Sequence, residues 1–265
     1  MTSSMTSHRI RLDGVELNAM VTGSGPWVTL SHSLAASHAM WAPQIEALSS
    51  RFTVLAYDTR GHGESSVPAG PYTMEQLADD AHAMLRHLGV ERTHWVGLSL
   101  GGMIGQMLAL RHPEVLDRVV IANSSAQVPA AGHAMWAERA EVARGQGMGA
   151  LMEGTLSRWF TPDFAGRAPA TRQQIAAQIL ATPTEGYAGC CAAISKLNTL
   201  EKLHTLKLPA LVIGSEQDQS TPVSMARDIA SAWPGAELAI LPDAAHLSNV
   251  EQPEAFNREL LRFLG

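Results

Sequence analysis

The chain has 265 residues, 46% hydrophobic and 17% charged, with 22 Gly and 14 Pro, enough to bury one large core and too apolar for a disordered segment. With 19 Lys+Arg against 25 Asp+Glu the formal net charge is -6, and no basic stripe runs along the chain, so nucleic acid is excluded as a partner. No stretch approaches the roughly 18 apolar residues that span a bilayer, and the N-terminus, MTSSMTSHRI, lacks the apolar centre of a secretory signal, so a cytoplasmic protein with no membrane partner is expected.

Residues His8–Leu12 and Val15–Val21 alternate apolar and polar side chains around Asp13-Gly14, the pattern of an antiparallel hairpin. Trp27–Ser31, Phe52–Tyr57, His94–Leu98 and Val119–Ala122 are short apolar runs ending at turn residues, as parallel strands covered on both faces require. Between the second and third of these, Met74, Leu77, Ala78, Ala81, Met84, Leu85 and Leu88 recur at helical spacing, with Thr73 and Gln76 as a candidate capping box. After Asn123 the alternation stops. Residues from about 131 to 197 are rich in Ala, Arg, Gln, Glu and Met and are broken by Pro162, Pro169 and Pro183, which predicts several short helices forming an inserted cap. Within it, Cys190 and Cys191 are adjacent, so an unstrained disulfide between them is excluded and they read as buried thiols in a reducing compartment. Strands resume at Pro209–Gly214 and Glu237–Leu241, and a helix over Glu254–Phe263 closes the chain. The expected architecture is α/β, a mostly parallel twisted sheet with helices on both faces, its core made of residues 1–124 and 200–265 and its helical cap of residues 125–199.

Gly97-Leu98-Ser99-Leu100-Gly101 follows an apolar strand and opens a helical pattern, Met103–Arg111, the context of a nucleophile elbow. A serine hydroxyl is a poor nucleophile near neutral pH and needs a base, which in turn needs an acid to hold its tautomer. On such a sheet both partners come after the serine, on loops beyond late strands. Of His112, His133, His204 and His246, only His246 lies after the last strand. Asp218, in the turn-rich Gly214–Pro222 loop, is the candidate acid, with Glu216 and Asp243 as rivals. The oxyanion of acyl transfer calls for two amide donors, here Leu100 after the serine and Leu34 in the Ser31–Ser37 loop. His32 in that loop reads as structural, and Asp58–Ser65 as a turn tethering neighbouring loops. In the cap, Trp136, Arg139, Arg158 and Trp159 are candidate substrate-binding residues, the arginines because a guanidinium pairs with a carboxylate through two hydrogen bonds. No histidine and carboxylate cluster has metal-ligand spacing and no glycine-rich loop suits a nucleotide, so neither a metal nor an organic cofactor is implied.

With these residues in place the whole chain resembles the α/β-hydrolase superfamily, and within it the 3-oxoadipate enol-lactonases of aromatic catabolism. The likeness runs through Leu30–Leu34, Met40–Pro43, Tyr57–Gly63, Gly70–Thr73, Gly97–Gly102, Arg158–Thr161 and Glu185–Tyr187. The resemblance implies cofactor-free opening of a small carboxylated enol-lactone through an acyl-enzyme. The loop departs from the pattern with His32 where Asn is expected and Ala35 where Gly is expected. A broader carboxylesterase or lactonase and a carbon-carbon bond hydrolase share the same residues, as does a ligand receptor that retains the triad and signals through a partner.

Overall fold

The computed structural model describes residues 5–265. β1 (Thr6–Leu12) and β2 (Val15–Gly23) form the hairpin, closed by Gly14 at φ 72, and β3 (Trp27–Ser31) enters the core. Then follow α1 (Ala42–Leu48), β4 (Thr53–Tyr57), α2 (Met74–His87), β5 (Thr93–Leu98), α3 (Leu100–Arg111) and β6 (Leu116–Ala122). Five helices come next: α4 (Ala130–Gln146), α5 (Gly149–Trp159), α6 (Pro162–Arg167), α7 (Pro169–Ala181) and α8 (Thr184–Ser195). The chain finishes with β7 (Ala210–Ser215), α9 (Val223–Ala232), β8 (Glu237–Leu241), α10 (Ser248–Glu251) and α11 (Pro253–Leu264).

The strands form one eight-stranded sheet in the order β1-β2-β4-β3-β5-β6-β7-β8, with β1–β2 and β2–β4 antiparallel and the rest parallel. Every residue of β5 and of β7 is buried, which needs cover on both faces. α1 packs against α11, and α2 pairs with α3, which lies along β3, β5 and β6. The periodic stripe of α2 is the one the sequence predicted: Met74, Leu77, Ala78, Ala81, Met84 and Leu85 are buried, and the Thr73 hydroxyl accepts the Gln76 N–H at 3.1 Å. Each large side chain in that stripe stabilises the fold by about 1.5–3 kcal/mol on leaving water.

The prolines set the boundaries of the helices between β6 and β7. Pro162 and Pro169 stand in the first turns of α6 and α7, and Pro183 caps α8, positions where a missing N–H costs nothing. This helical layer is tied to the loop after β8 by two groups. Leu247 N–H donates to the Trp159 carbonyl at 3.1 Å, and the buried Glu251 carboxylate accepts from the N–H and hydroxyl of Thr161 and from Ala245 N–H at 2.8 Å. Helices α1, α9 and α10 carry no sequence expectation. α10 is a single turn, and α9 follows a proline directly after the loop in which Asp218 lies.

Candidate active site

Ser99 sits between β5 and α3 with φ 55 and ψ -113, outside the comfortable regions for a residue with a side chain. The flanking glycines make that turn possible. A Cβ on Gly97 would collide with the backbone of Gly101, and one on Gly101 with the carbonyl of Ser31. The serine backbone is held by its N–H to the Ala122 carbonyl at 2.9 Å and by the Ser124 hydroxyl on its carbonyl at 2.8 Å.

His246 lies on the loop after β8 and is buried, its ring 6.1 Å from that of Trp159. Its Nδ1–H donates to Asp218 Oδ2 at 2.9 Å, which leaves Nε2 as the nitrogen with a free lone pair. The carboxylate of Asp218 is surrounded by donors. Oδ1 accepts from Ser220 N–H at 2.8 Å and Thr221 N–H at 2.9 Å; Oδ2 also accepts from the Thr221 hydroxyl at 2.6 Å and from Asn123 Nδ2 at 2.9 Å. Burial alone would raise the Asp218 carboxyl, but the His246 charge, its hydrogen bond and the Thr221 donors outweigh it and hold the group at about 2. Asp218 is therefore an anion throughout the neutral range. The two rivals are exposed: Glu216 and Asp243 both face solvent.

A cavity of about 170 Å³ opens over Ser99 and His246, and Leu34, Trp136, Arg139, Arg158 and Trp159 all line it. The backbone N–H groups of Leu34 and Leu100 have no acceptor among the described residues, so both are available to an anion. The arginines differ in their surroundings. Arg139 donates to the Tyr187 hydroxyl at 2.9 Å and lies over the Trp136 ring at 5.3 Å. Arg158 has neither hydrogen bond nor ion pair among the described residues, and burial followed by the neighbouring Arg139 charge lowers its pKa. It is a partly desolvated cation with no counter-charge beside it among the described residues.

Three residues that sequence reasoning passed over support the site. Thr221 and Asn123 bind the Asp218 carboxylate, and Glu251 links the His246 loop to the helices above it. Thr221 had a readable signal, since a hydroxyl residue three positions after an aspartate commonly closes a local turn. The other excluded histidines stand apart from the cavity: His112 caps α3, while His133 and His204 are exposed. His82, distant in sequence from His112 and Glu114, does come together with them, ligand atoms within 4.8 Å, a grouping that sequence spacing did not display. The two imidazoles stack with centroids 4.0 Å apart and planes 7° apart, so their lone pairs run side by side and do not converge on one point. Cys190 and Cys191 are free and buried, and burial raises both thiols, that of Cys191 to about 12.

A strained serine between strand and helix, a histidine and a buried carboxylate on later loops, and an eight-stranded mostly parallel sheet define one class of protein: the chain belongs to the α/β-hydrolase fold family, whose sequence pattern matches residues 26–253. Within that family it is an enzyme similar to enol-lactonases. It is 37% identical to 3-oxoadipate enol-lactonase 2 of Acinetobacter baylyi over 92% of this chain and 91% of that protein. The crystal structure of the enol-lactonase from Burkholderia xenovorans LB400 superposes with a TM-score of 0.94 at 39% identity, covering 97% of this chain and 99% of that one. A putative carbamate hydrolase RutD of Caulobacter is 33% identical over 90% of each chain.

Proposed function

We propose that the protein opens a small carboxylated enol-lactone of the 3-oxoadipate enol-lactone type, with Ser99 as nucleophile, His246 as general base and Asp218 as the acid that orients it. The observation that carries the substrate is the unpaired Arg158 guanidinium lining the same cavity as Ser99 and His246. In the first step His246 Nε2 takes the Ser99 hydroxyl proton as the oxygen attacks the lactone carbonyl, and the oxyanion is received by the Leu34 and Leu100 amides. Collapse breaks the ring C–O bond, and the imidazolium returns its proton to the departing enol oxygen, which stays tethered to the acyl group. The enol rearranges to a 3-oxo group. Water, deprotonated by His246, then attacks the acyl-enzyme, releases the acid and restores Ser99. Asp218, ionised and fixed by Thr221 and Asn123, stabilises the imidazolium in both steps.

Residues 125–199 act as the cap that supplies selectivity, with Trp136, Trp159 and Tyr187 as apolar wall and Arg158 on the substrate carboxylate. The substrate partner is a small soluble ester or lactone in the cytoplasm, and the chemistry needs no cofactor. The likeness to carbamate hydrolases makes a carbamate the rival substrate. Initial rates of the purified protein on a carboxylated enol-lactone, its methyl ester and carbamate discriminate the readings. The lactone acid is expected to be turned over fastest, with all activity lost in Ser99→Ala; faster turnover of carbamate overturns the assignment.

A further inference from the structure

The loop that presents the Leu34 amide holds a residue in an unfavourable conformation. Ala36 N–H closes a turn onto the Ser33 carbonyl at 3.1 Å, and Ala35 inside it has φ 61, a left-handed conformation that glycine adopts freely and alanine does not. The Ala35 N–H donates to Nε2 of His62, 3.0 Å away on the loop after β4. Because a backbone amide can only donate, Nε2 must be unprotonated. The His62 proton is then on Nδ1, which faces the Arg60 carbonyl at 3.3 Å. Burial, the largest cause, lowers His62 to about 3, so the acceptor persists at any working pH.

The acceptor is itself fixed. His62 is completely buried, its N–H bonds to the Thr59 carbonyl at 2.9 Å and its own carbonyl accepts Ser65 N–H at 3.0 Å. A second imidazole repeats the arrangement in the opposite direction. His32, on the Leu34 loop, accepts Thr59 N–H through Nε2 at 2.9 Å and donates from Nδ1 to the Ser33 carbonyl at 2.7 Å. The rings lie 5.3 Å apart, so each loop is clasped by a neutral histidine of the other. Below them the buried Asp58 carboxylate takes His38 N–H at 2.7 Å, Asn18 Nδ2 at 2.9 Å and Glu64 N–H at 3.0 Å, which leaves the His62 loop little freedom.

We propose that His62 is a positioning residue for acyl transfer: by accepting the Ala35 N–H it holds Ala35 left-handed and so keeps the adjoining Leu34 N–H presented to the Ser99 cavity. This rests on the reading of Leu34 as an oxyanion donor. It explains how alanine serves at a position where glycine is expected, because the hydrogen bond offsets what the Cβ opposes.

The experiment is a cycle of His62→Leu, His62→Gln, Ala35→Gly and His62→Leu/Ala35→Gly, read as kcat and KM on p-nitrophenyl butyrate with circular dichroism and Tm for every variant. Losing one oxyanion donor outright costs about 10²–10³ in kcat, so loosening it in His62→Leu is expected to cost about 10–100-fold in kcat with KM within about threefold. His62→Gln, which retains an acceptor oxygen, recovers part of that loss, and Ala35→Gly restores at least about tenfold when added to His62→Leu because glycine needs no support at this φ. A folded His62→Leu with wild-type kcat overturns the proposal. So does a loss that Ala35→Gly leaves unchanged in a folded double variant. If His62→Leu does not fold, His62→Ala, which also lacks an acceptor, replaces it: a kcat loss that Ala35→Gly repairs supports the proposal and wild-type kcat overturns it. Failure of the underlying reading shows separately, as wild-type kcat when an amide-to-ester substitution removes the Leu34 N–H.

Discussion

Arg158→Met removes a cation and keeps a similar length of apolar side chain, so it isolates carboxylate recognition from cap packing. The guanidinium lines the Ser99 cavity with no partner among the described residues, whereas Arg139 is bonded to Tyr187 and stacked on Trp136. A charge-assisted hydrogen bond contributes about 1.5–3 kcal/mol net. Arg158 is only partly buried, so solvent screening places the effect at the lower end, about 1.4–2 kcal/mol, or roughly 10–30-fold in kcat/KM. Initial rates are measured on a carboxylated enol-lactone and on its methyl ester, at low and at high salt. The acid should lose roughly 10–30-fold through KM, the ester should change less than about twofold, and the wild-type preference for the acid should shrink with salt. Equal losses on both substrates would mean that methionine damaged the cap, and unchanged rates on both would remove Arg158 from substrate binding.

Ser99→Ala should abolish labelling by a fluorophosphonate and lower turnover by several orders of magnitude; labelling that persists would falsify its role as nucleophile. Asp218→Asn should leave the fold intact and slow acylation by roughly two to four orders, because the amide favours the wrong imidazole tautomer, while the exposed Glu216→Gln stays near wild type; exchanged results would move the acid to Glu216. Glu251→Gln turns one carboxylate oxygen into a donor facing Thr161 or Ala245, so thermal unfolding should show a loss of about 1–3 kcal/mol, and an unchanged Tm would mean the carboxylate is not what joins cap and loop. The acid limb of stability is set by groups of depressed pKa. His62 falls from 6.5 unfolded to about 3 folded, so the unfolded state binds the extra proton between those values, and stability is full above pH 6.5 and declines as pH falls towards 3, by about 1.4 kcal/mol per pH unit. Asp218, with a folded value of about 2, adds its own loss as pH falls from about 4 to 2. Urea titrations of the wild type and His62→Leu across pH 4–7 should give a flatter curve for the variant, and parallel curves would mean that His62 titrates normally.

Periodicity and punctuation carried most of the fold. β3 and β8 occupy the predicted residues, and the prolines at 162, 169 and 183 each open a helix, because a residue lacking an N–H fits there without loss. Helices α1 and α9 were not read. α9 follows Pro222 as α8 follows Pro183, but it buries only Ala226 and Ile229, against β7 and β8, too short a stripe for helical periodicity to show. The places of Ser99, Asp218 and His246 in the fold were legible because each depends on position in the chain: the turn after β5, the loop after β7 and the loop after β8. Glu251 was not legible, since its partner Thr161 comes near only after the cap folds over the sheet. The same holds for the distinction between Arg139 and Arg158, which lies in Tyr187 and in Arg158 having no carboxylate partner among the described residues.

Among the described residues, four without glycine's freedom take a left-handed φ: Ala35 at 61, Ser99 at 55, Asn123 at 43 and Asp243 at 50. They follow β3, β5, β6 and β8, so all lie beyond the carboxyl ends of strands, the edge over which the cavity opens. Each such conformation costs about 1–3 kcal/mol unless surrounding contacts hold it, less for Asn than for Ala. The contacts are specific. Ala35 has His62, Ser99 has the Ala122 carbonyl and the Ser124 hydroxyl, and Asn123 uses its own amide on Asp218 and Ser215 and accepts the Ser248 hydroxyl. Relaxing the loops of Ala35, Ser99 or Asn123 would cost hydrogen bonds to buried groups that have no water to replace them. The strain therefore cannot disperse into the sheet, whose central strands are pinned on both faces, and it stays in the loops at the carboxyl edge that carry Ser99, Leu34 and the residues around Asp218.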